Sequence, residues 1–147
     1  MTSTEKRPIP QEDGPRYLKT LEIYGRVLSV VLMLFGLRQW AVIVGIASSP
    51  GGPFELMTSP WQLATMYLAV IDLVAAVGLW MRVAWGDVLW ILAALSEIAF
   101  HTFFASTFGT DFTIIAFHLF AMGGFLTLVL LTRKERKAWP FPRDKQF

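Results

Sequence analysis

Four stretches of this chain are almost continuously apolar, near residues 23–47, 61–81, 86–106 and 112–132, and ionisable side chains interrupt each of them. As helices rising about 1.5 Å per residue, each would cover about 30 Å, the thickness of a bilayer's hydrocarbon layer. The pattern therefore predicts four membrane-crossing helices. Turn residues separate them: the segment 48–60, SSPGGPFELMTSP, holds three prolines and two glycines and reads as a loop, with Phe54 to Met57 lying at the membrane interface. The expected fold class is all-α, an integral membrane antiparallel four-helix bundle over 23–132. A polar tail, 1–22, precedes it and a basic tail, 133–147, follows.

Composition agrees with the pattern. Hydrophobic residues make up 54% of the 147 residues and charged residues only 16%, against about 25% charged in soluble domains. There is no cysteine, which removes thiolate metal sites, iron–sulfur clusters and disulfides. The net charge of +2 is too small to suggest nucleic acid as a partner. The first sixteen residues lack the apolar core of a cleavable signal peptide, so the first apolar stretch is expected to be retained.

Charge distribution sets an orientation. Arg16, Lys19 and Arg26 lie around the start of the first stretch, Arg82 between the second and third, and Arg133, Lys134, Arg136 and Lys137 after the fourth. The other two connections contain no Lys or Arg. By the positive-inside rule both termini face the cytoplasm, across a bacterial inner membrane. Trp61, Trp80, Trp85, Trp90 and Trp139 fall near predicted span ends and read as an aromatic belt. Arg133, Lys134, Arg136, Lys137 and Trp139 read as an anchor on anionic headgroups.

The interrupting residues carry the candidate chemistry. A charge near the middle of a span costs roughly 2.5–3.5 kcal/mol on insertion scales, so such residues face partners or a wet cavity. Counted from the outer ends of their spans, Arg38, Asp72, Glu97, His101 and His118 lie roughly 7–16 Å deep. One outer-half polar cluster is expected, with Gln39 beside Arg38 as a further donor and acceptor. Glu97 and His101, four residues apart, share a helical face and can pair. Asp72 shares its stripe with Thr65, Ala69, Ala75, Ala76 and Leu79, a small-residue face suited to close helix packing. With Arg38 always cationic and two carboxyls present, neutrality needs one additional proton, on an acid or a histidine. The acids and histidines should titrate together.

Several uses fit these residues. Arg38, Asp72 and Glu97 could form a structural network that fixes helix order. His101 and His118 could be axial ligands of a b-type haem, in a slot lined by Phe100, Phe103, Phe104, Phe108 and Phe117. Glu97, His101 and His118 form a possible divalent metal set, opposed by the nearby cation Arg38. A proton-coupled carrier would use Asp72 or Glu97 as the proton-binding group. Nucleophilic catalysis lacks a cysteine or a G-x-S-x-G context, and Ser96 is expected to bond back to its own helix.

The segment 61–100, with its Trp61-Gln62 start, the Ala-Ala-Val-Gly-Leu-Trp run at 75–80, Trp85-Gly86 and the intramembrane Glu97, resembles a family of small, uncharacterised four-helix inner-membrane proteins of alphaproteobacteria. That resemblance implies a bacterial inner-membrane location and assigns no chemistry to any residue. The function expected from the sequence is that of a non-enzymatic accessory subunit, contacting lipid and a membrane-protein partner or a second copy of itself. The alternative is a redox or transport protein whose polar cluster binds haem, quinone, metal or protons.

Overall fold

The computed structural model describes residues 16–138, and their regular elements are all helical. The tail up to residue 15, the Trp139 part of the predicted anchor and the side chain of Arg136 lie outside what it describes. Five helices follow in order: α1 (Arg16–Ile43), α2 (Ser59–Trp80), α3 (Ala84–Thr102), α4 (Ala105–Phe108) and α5 (Phe112–Ala138), with a 3₁₀ turn at Phe54–Leu56 before α2.

Three of these helices, α1, α2 and α5, are long and apolar enough to cross a membrane. Helix α3 is 19 residues long, about 28 Å, but Asp87, Glu97 and His101 lower its hydropathy. The structure also corrects the extent of the third segment. Residues 86–106 are not one helix: α3 ends at Thr102, and α4 is a separate turn, closed at Gly109 with φ of 75°.

The four long helices run in alternating directions. At one end, Glu135 of α5 accepts hydrogen bonds from the backbone N–H groups of Arg16 and Tyr17, while the Arg82 side chain reaches the Leu21 carbonyl. The basic flanks are thus gathered at a single end. At the other, Trp61 at the start of α2 donates to the Thr107 carbonyl in α4.

Small residues let α1, α2 and α3 approach closely. A Cβ added at Gly78 of α2 would lie 2.5 Å from the Gly86 Cα of α3, so the α2–α3 hairpin depends on both positions lacking a side chain. Its turn closes on a Schellman pattern: Val83 N–H bonds the Gly78 carbonyl, Arg82 N–H bonds Leu79, and Arg82 takes φ of 59°. Ala69, Ala75, Ala76 and Leu79 of the predicted small-residue stripe are buried. Ser29 bridges α1 to α2 by donating to the Ala76 carbonyl at 2.7 Å.

The dry core gathers Leu28, Leu32, Ala75, Ala76, Leu79, Trp90 and Ala121. Trp90 belongs here, not in the aromatic belt: it is fully buried and meets Phe125 edge-on at 5.3 Å. The belt reading took proximity to a span end for exposure, but Trp90 lies on the inward face of α3. Helix α5 is the least embedded, with Phe112, Leu119, Phe120, Leu126 and Leu130 exposed. On it Gly124 faces Tyr24, whose hydroxyl donates to the Ala121 carbonyl, whereas Gly123 faces open space.

Candidate functional site

Among the described residues, Asp72, Glu97 and His118 are the charged or titratable side chains buried in the interior, on α2, α3 and α5 respectively. Glu97 and His118 form the central contact, His118 Nε2 against Glu97 Oε2. Asp72 lies within electrostatic reach of Glu97, and its Oδ2 is buried with no hydrogen-bond partner among the described residues. The Nδ1 of His118 is buried without a partner as well. Its ring is held by an edge contact with Phe117, which in turn packs edge-on against Phe35 of α1.

The expected Glu97–His101 pair is replaced by Glu97–His118. Although His101 shares the Glu97 face of α3, it sits one turn nearer the helix end, where α4 begins. Its Nδ1 donates to the Gly109 carbonyl at 3.0 Å, because that carbonyl can only accept. The ring is only partly buried. The two histidines therefore have different tasks. Consistent with this, no group of three or more His, Asp or Glu among the described residues is placed to hold a metal ion. A bis-histidine haem would also need His118 Nε2, the atom that meets Glu97.

Glu97 has a second environment. It lines an open cleft of about 460 Å³ that enters from the end of the molecule opposite the basic flanks. Arg38, Gln39 and His101 line the same cleft, along with Asp111 at the start of α5. Its apolar walls include Phe35, Leu68, Phe100 and Ile114, and Trp61 and Phe108 meet edge-on beside it at 5.0 Å. The six predicted cluster residues thus divide into an interior trio, Asp72, Glu97 and His118, and a cleft set, Arg38, Gln39, Glu97 and His101. Glu97 belongs to both.

Arg38 does not pair with Glu97 or Asp72. It is exposed toward the cleft side and, among the described residues, has no ion-pair partner. Asp111 was not among the expected site residues. Its Oδ1 accepts hydrogen bonds from the Thr113 and Ile114 N–H groups, capping α5 and holding the carboxyl below its ordinary pKa through the Ile114 and then the Thr113 N–H. An Asp followed directly by an apolar run is a sequence-readable N-cap, so this signal was present.

Chemically, the Glu97–His118 contact can exist in two states that differ by one proton. A carboxylate can accept from Nε2–H, leaving Nδ1 bare, or a carboxylic acid can donate to a bare Nε2 with the hydrogen on Nδ1. Since Nδ1 has no partner, neither tautomer is fixed from behind. Glu97 also faces the cleft, and a second carboxyl, Asp72, lies within its electrostatic reach.

No curated protein and no solved structure matches the chain. Residues 19–136 match a family described only as of unknown function, DUF6163, and with most of its length covered in this way the chain belongs to that family.

Proposed function

We propose that this protein is a multi-pass membrane protein, a four-helix bundle of α1, α2, α3 and α5, that binds a small solute in its cleft and exchanges a proton with it through Glu97 and His118. The carrying observation is that one buried carboxylate both lines an open cleft and contacts an interior histidine. Buried ionisable groups in apolar helices mark ion and proton pathways more often than lipid-facing structure. This is a binding and proton-exchange role, the half-reaction of a proton-coupled carrier, rather than catalysis.

Helix α3 is the fourth crossing: its hairpin with α2 is tight, and its length matches the hydrocarbon layer. The gathered basic end faces the cytoplasm of a bacterial cell, with both termini, and the cleft opens outward through the Lys- and Arg-free loops. Arg133, Lys134 and Lys137 rest on anionic lipid.

An accessory-subunit role has one observation in its favour: the exposed apolar face of α5, where a partner helix or a second copy could seat.

The test is labelling with dicyclohexylcarbodiimide, an apolar reagent that attacks carboxyls in their protonated form. In protein reconstituted in bilayers, peptide mapping should find Glu97 modified. Glu97 left unmodified would sink the proposal.

A further inference from the structure

The cleft is lined by one arginine, which has no ion pair among the described residues. Four chargeable side chains face it: Arg38 from α1, Glu97 and His101 from α3, and Asp111 at the start of α5. Three are already engaged within the protein. Glu97 meets His118, His101 donates to the Gly109 carbonyl, and Asp111 is held by the first N–H groups of α5. Arg38 alone has neither an ion pair nor a hydrogen bond among the described residues, and it stands exposed on the cleft side of α1, five residues before that helix ends. A guanidinium cannot relieve this by losing its proton. The wall below it is apolar, with Phe35, Leu68 and Phe108.

An unpaired, permanently charged fork above an apolar wall selects for a ligand with two parts. We propose that the cleft binds an amphiphilic organic anion, its carboxylate or phosphate on Arg38 and its apolar body against Phe35 and Leu68. The cleft's volume of about 460 Å³ lies within the range of roughly 300–1,000 Å³ of small-molecule sites. Planar bidentate pairing with such oxyanions is what an arginine does better than a lysine. The inference uses the cleft of the proposed function but not its proton. Glu97 labelling without anion preference would leave proton exchange standing, and anion preference without labelling would leave the binding site standing.

Binding to the full chain in mild detergent is to be measured by native mass spectrometry, with dodecanoate and dodecanol as matched probes at a pH where dodecanoate is ionised. Dodecanoate should bind with one-to-one saturation and about tenfold or more tighter than dodecanol, as expected for a charge-assisted hydrogen bond. Arg38→Gln should abolish that preference and Arg38→Lys retain part of it. Benzoate serves as a third probe: comparable affinity identifies a free organic acid as the class, and weak affinity identifies an acyl-chain anion. Equal affinities of dodecanoate and dodecanol for the wild-type chain overturn the inference, even if neither variant folds. So does a preference that survives unchanged in a folded Arg38→Gln protein.

Discussion

His118 and Glu97 depend on each other because each removes the other's need for water. His118 is 1% exposed and Glu97 8%, so His118 has no solvent as an alternative partner and Glu97 meets it only through the cleft. Breaking a buried pair by deleting one member strands the other, at a cost of about 3–5 kcal/mol, whereas removing both with similar-sized neutral groups is far cheaper. His118→Leu should therefore destabilise the protein by about 3 kcal/mol. The double change Glu97→Gln with His118→Leu should lose less than the sum of the two single changes. Unfolding in detergent micelles measures this cycle; strictly additive losses would mean that the pair contributes nothing jointly. Arg38 is not a member of this pair, so its substitution should leave the coupling energy unchanged.

At the scale of elements, the α2–α3 hairpin sets the positions of both interior carboxyls, Asp72 and Glu97. The hairpin is close because Gly78 and Gly86 present backbone to backbone. Gly86→Leu should force the helices apart, with a loss of about 3 kcal/mol or misfolding, since the neighbouring backbone cannot move as a side-chain tip can. Gly123→Ala, with open space around it, serves as the control and should be tolerated. A thermal-melting comparison checks both. Gly86→Leu and Gly123→Ala melting together would show that the close approach is not stabilising.

Much of this element-level arrangement was legible in the sequence. The small-residue stripe around Asp72 and the loop at 48–60 follow from spacing and turn residues alone. The break between α3 and α4 was not legible, because Phe103, Phe104 and Ala105 continue the apolar pattern with no Gly or Pro before Gly109. Pairing was the other difficulty. Spacing shows that Glu97 and His101 share a face, but not that the facing helix offers His118 instead. Which of two reachable partners is taken depends on helix rotation, and that is set by packing such as Trp90 against Phe125.

For the whole molecule, the two ends differ in chemistry. One end gathers Arg16, Arg82 and the first part of the basic tail around Glu135. The opposite end has loops without Lys or Arg and opens into the cleft, with Arg38 set into its wall. Between them the core of Leu28, Leu32, Leu79 and Trp90 is dry, so the cleft has access from one end in this conformation. A carrier would need a second conformation that reverses this access.

The proposed proton exchange depends on the Glu97–His118 contact, and the histidine count makes that contact directly measurable. The chain has two histidines, so isotope-labelled histidine gives two sets of ring signals in a magnetic resonance spectrum of the bilayer-embedded protein. The Nε2 signal of His118 is predicted to shift in Glu97→Gln, because its partner is the Glu97 carboxyl, while the ring signals of His101, bonded to the Gly109 carbonyl, stay in place. A His118 spectrum unchanged by Glu97→Gln would contradict the contact.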